Sequence, residues 1–313
     1  MHPTNPLQSV RDSAALVVGR ARYVSISEDA IRALADRIVQ GEMPRIVWDD
    51  ELHFVDGGPA TAQYVLLLDA LNFCFWPESA WSYNRLAQAL KETLLKEPER
   101  FRAENLARVE AADTRVMLGG SDDIPLLAQR TALLREVGAV LAARWGGEAA
   151  NLIAAATHSA SNLVALVSAE LPGFRDHTVY QGHPVYLYKR AQILVGDLWG
   201  SFGGQGLGRF DDIDQLTMFA DYRVPQLLRG EGILRYHTHL ASLVDLYKEL
   251  PSGGEMEIEL RAATIHAVEL LRQALQTLNF SITSLELDWI LWNVAEIEQD
   301  RLRPHHRTLS IYY

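Results

Sequence analysis

Apolar residues recur every three or four positions through most of this chain, which is the spacing that places them on one face of an α-helix. In one such segment Ser27 stands at the position of an N-cap, and the apolar stripe runs from Ala30 to Val39. Comparable patterns, separated by helix-breaking residues, cover 81–96, 98–111, 123–145, 149–171 and 185–202, and begin again at Leu234, Glu255 and Ser284. The sequence therefore predicts a mainly α fold.

Strands are predicted to contribute little. Two short apolar patches, Ile46–Trp48 and Leu52–Phe54, flank three acidic residues and precede the turn Asp56–Pro59, a pattern that predicts at most a small β-hairpin. No repeat, low-complexity segment or convincing linker interrupts the chain. We therefore expect residues 1–313 to form a single unit, with a possible subdivision near residue 170 into an N-terminal helical half and a C-terminal half.

Charge and cysteine content narrow the classes of partner. The chain has 29 Lys and Arg residues against 40 Asp and Glu residues, a formal net charge of -11. Binding along a nucleic-acid backbone depends largely on clustered Lys and Arg, so we expect a small-molecule substrate and no direct polynucleotide binding. The single cysteine, Cys74, rules out an internal disulfide, and no apolar run predicts a signal peptide or a membrane span. These features favour a cytoplasmic protein.

Motifs for metal binding and for nucleophilic catalysis are weak. His237 and His239 are two residues apart and His305 and His306 are adjacent, but no third ligand falls at a recognised zinc spacing. The G-x-S-x-G motif is absent, which argues against acyl transfer by a serine nucleophile. The glycine-rich stretch 201–210 lacks the spacing of a Walker loop and is a weak phosphate cradle. We expect neither a metal ion nor a cofactor.

The stretch Leu216–Gln226 places an acid among apolar residues. If the stretch is helical, its apolar residues fall at the spacing of a buried face, and Asp221 lies at the edge of that face. Burial disfavours a charged carboxylate unless a cation, a hydrogen-bond donor or a positive charge developing in a substrate compensates. Asp221 is therefore a candidate catalytic group. The alternative is a structural acid, satisfied by Arg223 or Tyr222 at the end of a helix that Pro225 stops.

A second acid, Asp288, lies beside tryptophans in the stretch Leu285–Asn293. A carboxylate flanked by an indole suits a guanine-like base, because the adjacent N1–H and 2-amino donors match the two carboxylate oxygens while the ring stacks. The alternative is a capping or salt-bridged aspartate next to tryptophans of the core. Two acids in such settings are harder to explain as structural than one.

The chain also carries six longer motifs in one order: LDALNFCFW at 68–76, YKRAQILVGDLW at 188–199, MFADYRVPQ at 218–226, EIELRAATIHAVEL at 257–270, LDWILWN at 287–293 and HHRTLSIYY at 305–313. Together they resemble the queuosine salvage family over nearly the whole chain. The resemblance implies an enzyme that releases the base queuine from queuosine 5'-monophosphate by hydrolysing the N-glycosidic bond. It also implies a mainly helical fold similar to helix-hairpin-helix DNA glycosylases.

The resemblance assigns expected roles to residues of these motifs. Asp221 matches the family's catalytic aspartate, and Phe219 matches a residue that contacts the base. Asp288 and Trp289 stand where the family has an Asp-Tyr pair that binds queuine, so tryptophan replaces tyrosine here. Asn293 stands at a position that is often aspartate, and its neutral amide attracts the cationic amine of queuine's side chain less strongly than a carboxylate.

The chemistry of the bond gives Asp221 a specific role. Glycosidic cleavage passes through an oxocarbenium-like state, and a carboxylate placed under the sugar stabilises that charge, adds to it or orients a water. Queuine is a 7-deazaguanine and lacks the N7 that purine glycosidases usually protonate, so activation of the leaving base must come from donors elsewhere. Asp288 is then expected mainly to fix the base, and the sequence identifies no general acid.

The phosphate and the base need further partners. The 5'-phosphate requires a cation or backbone donors, for which Lys189, Arg190 and Arg223 are candidates, although each also suits a surface ion pair. Three aromatic residues are candidates for a wall on which the base stacks, although each suits a core as well: Phe73, Phe75 and Trp76.

Two other classes of function stay open. One is a non-catalytic helical module that binds queuine or a nucleotide, in which both acids are structural. The other is a glycosylase acting on polynucleotide DNA or tRNA, which predicts a basic stripe and base flipping and which the acidic balance opposes. The sequence does not indicate the oligomeric state.

Overall fold

The computed structural model describes residues 3–43, 46, 48–77 and 81–313. It confirms a mainly helical protein, with fourteen α-helices in the described residues. They are α1 (Pro6–Val18), α2 (Glu28–Val39), α3 (Pro59–Ala70), α4 (Tyr83–Lys96), α5 (Ala103–Leu106), α6 (Ala111–Met117), α7 (Leu127–Arg144), α8 (Ala149–Ala154), α9 (Ala160–Glu170), α10 (Lys189–Ser201), α11 (Arg223–Gly230), α12 (Thr238–Asp245), α13 (Glu255–Thr277) and α14 (Ser284–Glu298).

Four strands in the described residues form two small antiparallel sheets: β1 (Val24–Ile26), β2 (His177–Tyr180), β3 (His183–Tyr186) and β4 (Leu234–Tyr236). β1 pairs with β4, and β2 pairs with β3. The second pair is a hairpin whose turn residues, Gln181 and Gly182, have φ angles of 48° and 82°, as a tight two-residue hairpin turn requires. The strand content therefore exceeds the single hairpin expected.

The hairpin predicted within Ile46–Phe54 is wrong for the described part of that stretch, and Val47 lies outside the described residues. The chain there makes a turn in which the Asp49 carboxylate accepts hydrogen bonds from the backbone N–H groups of Glu51 and Leu52, both at 3.0 Å. A side chain that holds the backbone in this way competes with strand pairing. The hairpin of the structure lies instead at residues 177–186.

Helices with clear starting signals lie where the pattern predicts them. α2 follows Ser27, whose side chain accepts a hydrogen bond from the backbone N–H of Ala30 at 3.5 Å. α14 follows Thr283, which forms a capping box with Glu286. α13 begins at Glu255, as expected, and is buried along most of its length.

Three helical predictions are corrected by the structure. The pattern over 149–171 forms two helices, α8 and α9, because Thr157 and His158 adopt left-handed conformations with φ angles of 50° and 63°. The pattern from Leu234 begins with strand β4, and α12 starts only at Thr238. Within 98–111 the regular structure is limited to a short 3-10 helix and the single-turn α5.

The contacts between residues divide the chain into two compact units, and the first contains Met1–Ile46, His177–Lys189 and Asp214–Leu309. Its central element is α13, against which α1, α2, β1, α11 and α14 pack. This packing buries the apolar side chains of all six elements and so supplies the main favourable term for folding of the unit. The two units alternate along the sequence, and a single unit with a subdivision near residue 170 stays a prediction.

The second unit contains Val47–Asp176, Arg190–Ile213 and Ser310–Tyr313. Its helix α3 is buried on all sides and packs against α4, α7 and α8. A helix that is apolar around its whole circumference is stable only inside such a shell of neighbours. Within the described residues, neither unit contains a helix long and apolar enough to cross a membrane.

Candidate active site

The segment that carries Asp221 is irregular, not helical. Residues 216–221 have no regular secondary structure, and α11 begins at Arg223, so the expectation that Pro225 stops a helix here is wrong. Pro225 lies in the first turn of α11, where the missing N–H of proline removes no helical hydrogen bond. Asp221 therefore precedes a helix instead of ending one.

Side chains of the first unit hold this irregular segment in place. The backbone carbonyl of Ala220 accepts a hydrogen bond from Nε of Arg261 at 3.0 Å, and Arg261 belongs to the buried helix α13. At the other end of the segment, the carbonyl of Leu216 accepts a hydrogen bond from Arg11 at 3.2 Å. Irregular backbone inside a protein needs such partners, because an unpaired carbonyl in the interior is costly. The position of Asp221 is thus fixed by α1 and α13.

The Asp221 carboxylate is 7% exposed and caps α11. Its Oδ1 accepts hydrogen bonds from the backbone N–H groups of Arg223 at 3.1 Å and Val224 at 3.0 Å. Burial raises the pKa of Asp221 to about 6, against the opposing effects of the Val224 N–H and of the positive charges on Lys189 and Arg223. Asp221 is therefore ionised at neutral pH but close to its titration range.

Asp288 lies on α14 and is 4% exposed. Its Oδ1 accepts a hydrogen bond from the backbone N–H of Phe219 at 2.8 Å, which joins α14 to the segment that carries Asp221. Burial, and then the negative charge of Asp221, raise the pKa of Asp288 well above its ordinary value, although the Phe219 N–H and Lys189 act in the opposite direction. The ionised form of Asp221 therefore favours the protonated form of Asp288.

Lys189 is the cation that acts on both acids. It is the first residue of α10, is 5% exposed, and its positive charge lowers the pKa of Asp221 and of Asp288. Lys189 thus forms an electrostatic group with the two carboxyl groups. When Asp221 is ionised and Asp288 is protonated, the positive charge of Lys189 balances the one negative charge in this group.

Arg223 has different surroundings from Lys189. Its Nε lies 2.5 Å from Oε1 of Glu296, and its two other guanidinium nitrogens donate to the side-chain oxygens of Gln226 at 3.2 Å and Gln299 at 2.8 Å. The guanidinium carbon also lies 5.6 Å from the centre of the Tyr222 ring. Each nitrogen of Arg223 thus already faces an oxygen of α11, α14 or the residue that follows α14.

The remaining residues of the predicted base-binding group lie on α14 or beside it. Phe219 is 2% exposed, and its backbone N–H is the group that contacts Asp288. Trp289 and Asn293 are half-buried and one helical turn apart, and the Asn293 amide donates to the Trp289 carbonyl at 2.8 Å. One hydrogen bond joins Phe219 to Asp288, Asp221 follows Phe219 by two residues, and Trp289 and Asn293 lie on the same helix as Asp288.

His305 contacts this region, although the sequence assigned it no role there. Its ring packs on the ring of Tyr222 with centroids 4.5 Å apart and an interplanar angle of 31°. Its Nδ1 lies 2.7 Å from the carbonyl oxygen of His306, and a carbonyl only accepts, so Nδ1 carries the proton. Burial lowers the pKa of His305 to about 4, which makes it neutral at pH 7. In the sequence, the motif 305–313 was the only indication that His305 belongs to this region.

The histidine pairs considered as metal ligands make local contacts. The backbone N–H of His239 donates to Nδ1 of His237 at 3.3 Å at the start of α12. His306 is 1% exposed, and burial lowers its pKa to about 3. The described ranges contain no group of three or more His, Cys, Asp or Glu side chains placed to hold a metal ion.

Other candidates from the sequence lie in the second unit. Arg190 is fully buried and donates to the backbone carbonyls of Ala70 and Gly173. Its guanidinium lies 5.2 Å from the ring centre of Phe73, and that of Arg130 lies 4.3 Å from the same ring. Phe73 is therefore packed between two guanidinium groups, and Arg190 holds the interior of its own unit. These contacts do not favour Arg190 as a phosphate ligand.

Comparison with known proteins finds relatives along nearly the whole chain. A family model described as queuosine salvage protein matches residues 52–313. A relative from Dictyostelium discoideum is 41% identical over 99% of this chain and 100% of its own length, and one from Sphaerobacter thermophilus is 42% identical over 95% of each chain. A relative from Mus musculus is 32% identical over 98% of this chain and 99% of its own. All three are named queuosine 5'-phosphate N-glycosylase/hydrolase. The chain belongs to the queuosine salvage protein family.

Proposed function

We propose that this protein hydrolyses the N-glycosidic bond of queuosine 5'-monophosphate, releasing queuine and ribose 5-phosphate. The observation that carries the proposal is an enclosed carboxylate, Asp221, held beside a second acid and a lysine in a chain whose relatives bear the name of this activity. An enclosed carboxylate of this kind is what an oxocarbenium-like transition state requires.

Asp221 is the group that stabilises the sugar cation. The positive charge that develops on the ribose ring compensates the carboxylate for its loss of hydration, so the attraction strengthens as the bond breaks. Two backbone N–H groups hold Oδ1 in position before the reaction, so the carboxylate does not have to reorient in the transition state. With a pKa of about 6, the carboxylate is ionised at neutral pH and is still basic enough to accept a proton from the attacking water.

The base is bound by Phe219, Asp288, Trp289 and Asn293. Trp289 supplies a flat indole one residue after Asp288, and its half-buried position leaves part of that surface accessible. Asn293 lies one turn further along the same face of α14. A base that stacks on this face lies next to the Asp288 carboxyl, whose second oxygen, Oδ2, is available to meet its polar edge.

The phosphate is bound by Lys189 and Arg223, with the larger share assigned to Lys189. A phosphate at Arg223 has to compete with Glu296, Gln226 and Gln299 for the guanidinium. Lys189 lies within the electrostatic reach of Asp221, so a phosphate bound there adjoins the sugar that Asp221 contacts. A lysine ammonium suits phosphate as a point charge.

Other parts of the proposal rest on broader grounds. We assign residues 1–313 to one glycosylase-like unit similar to helix-hairpin-helix DNA glycosylases, which agrees with a helical protein that has little strand. Direct polynucleotide binding is not part of the function, because the net charge of -11 disfavours it. A cytoplasmic location agrees with a single cysteine and no internal disulfide.

The test is release of free base, measured by chromatography and mass spectrometry, from queuosine 5'-monophosphate, queuosine, GMP and queuosine-containing tRNA. The parent, Asp221→Asn and a matched control at an exposed acid of the same unit, Asp300→Asn, are compared. We expect queuine chiefly from the monophosphate, lost in Asp221→Asn and kept in Asp300→Asn. Binding of queuine without release from any substrate would indicate a binding module, and release chiefly from tRNA would indicate a polynucleotide glycosylase.

A further inference from the structure

The proposed reaction requires a proton donor for the leaving base. Breaking the bond between C1' and N9 sends its electron pair into a 7-deazaguanine, in which a carbon occupies the place of N7. The proton has to reach another acceptor on the base, the carbonyl oxygen or N3. A donor for this step must be enclosed with the base, hold a proton at neutral pH, and stand at a fixed position relative to Asp221.

Three nearby groups do not meet these conditions. Asp221 is ionised at neutral pH and is needed in that form under the sugar. His305 is neutral, and its one ring proton, on Nδ1, is donated to the carbonyl of His306. The guanidinium nitrogens of Arg223 are engaged by the side-chain oxygens of Glu296, Gln226 and Gln299.

Asp288 meets all three conditions, and we propose that it is the general acid that protonates the leaving queuine. This inference rests on the proposed function. Oδ1 of Asp288 accepts the N–H of Phe219, which places the acid proton on Oδ2. Phe219 is two residues from Asp221, so one hydrogen bond fixes the proton donor relative to the carboxylate under the sugar. Trp289, the next residue on α14, lies where the base is expected.

The charges around Asp288 favour the protonated form. The negative charge of Asp221 faces it from the irregular segment, and Lys189 faces it from the start of α10. Arg223 and Glu296 act on Asp221 and so influence Asp288 only indirectly. Helix α13, which packs against α14, has four buried charged residues: Glu257, Glu259, Arg261 and Glu269. Burial and the negative charge of Asp221 both favour the protonated form of Asp288.

The step balances as follows. The C1'–N9 bond breaks with both electrons going to the base, and the proton on Oδ2 of Asp288 moves to the base. Water adds its oxygen to C1', and its released proton passes to the Asp221 carboxylate. The proton then moves from Asp221 to Asp288, which restores the starting state. One water is consumed, and queuine and ribose 5-phosphate are the products.

A leaving group that needs no proton tests this role, and kcat at saturating substrate separates it from simple binding, because the loss of a binding contact alone raises KM. The 4-nitrophenyl β-riboside 5-phosphate has a leaving phenolate that is stable without protonation. We expect Asp288→Asn to lower kcat on queuosine 5'-monophosphate by about 100-fold or more and to stay within about tenfold of the parent on the nitrophenyl substrate. Asp221→Asn should lower both rates, and Asp300→Asn should lower neither.

An equal loss on both substrates in Asp288→Asn would overturn the inference. A parent that releases no queuine from the monophosphate would instead refute the proposed function. The parent protein gives a second test that does not depend on folding of a variant. Its kcat on queuosine 5'-monophosphate should fall at alkaline pH as Asp288 loses its proton, and its kcat on the nitrophenyl substrate should not fall with it. The same pH dependence on both substrates would refute the role of Asp288.

Discussion

Replacing Asp221 by asparagine should make the protein more stable at neutral pH while it removes activity. Asparagine has nearly the same shape and keeps an oxygen for the N–H groups of Arg223 and Val224. It removes the charge, and the charge is costly, since burial raises the pKa of Asp221 from 3.8 to about 6. A shift of this size corresponds to roughly 3 kcal/mol of lost stability when the group is ionised in the folded protein.

The pH dependence of this cost has a definite sign. Below pH 3.8 the aspartate is protonated in both the folded and the unfolded chain, so its pKa shift makes no contribution. As the pH rises from 3.8 to about 6, the unfolded chain releases its proton first, and the folded state loses stability. Above that range the full cost is present. The advantage of Asp221→Asn should therefore open between pH 4 and pH 6 and remain constant at higher pH.

The assay is thermal unfolding of the parent, Asp221→Asn and Asp300→Asn from pH 4.5 to pH 8. A gain of roughly 3 kcal/mol is an upper value, because the buried asparagine amide also needs a partner, and it corresponds to about 6 °C in Tm for a chain of this size. Asp300→Asn should show no gap that changes with pH. A variant that is no more stable than the parent at pH 7.5, or a gap equal at pH 4.5 and pH 8, would refute this reasoning. Activity should fall roughly 100- to 1,000-fold in the same preparation.

Three further outcomes are expected. The kcat/KM for queuosine 5'-monophosphate should rise with pH around 6 as Asp221 ionises. Lys189→Met should move this rise to higher pH, because Lys189 lowers the pKa of Asp221. A pH profile that Lys189→Met leaves unchanged would show that Lys189 does not act on Asp221. Lys189→Met should also raise KM for the monophosphate about tenfold more than KM for the nucleoside queuosine, and Arg223→Met should show the same preference to a smaller extent; the reverse order would assign the larger share of the phosphate to Arg223. Asn293→Asp should lower KM for queuosine 5'-monophosphate about fivefold and leave KM for 7-deazaguanosine 5'-monophosphate, which lacks the amine, unchanged. An equal change in KM for both nucleotides would refute a contact between residue 293 and the amine.

Local signals explain which parts of the fold were predictable. Ser27 at the start of α2 acts within one helical turn, so the sequence locates that boundary. The segment 216–221 has apolar spacing compatible with a helix, but two of its carbonyls accept hydrogen bonds from Arg11 and Arg261. These arginines are 205 and 41 positions away along the sequence from the residues they bind. Apolar spacing contains no information about such distant donors. The hairpin was misplaced for a related reason, since the Asp49 turn depends on one side chain.

The candidate site was also predictable from the sequence only in part. Two acids in apolar surroundings were visible in the sequence, and the structure confirms that Asp221 and Asp288 are buried. The effect of the Asp221 charge on the pKa of Asp288 was not visible, because it depends on two charges that only the fold brings close. The ring contact between Tyr222 and His305 was hidden for the same reason.

The hydrogen bond from Phe219 to Asp288 has a consequence for the time at which activity arises during synthesis. The two residues are 69 positions apart, and α14 is the last helix of the described chain. A ribosome-bound chain that has not yet emerged beyond residue 287 holds Asp221 without its partner acid, however well α1, α2 and α13 have folded. Translation that stops before α14 is therefore expected to leave a partly folded and catalytically silent protein, and the substrate is first processed after the end of α14 has joined α11.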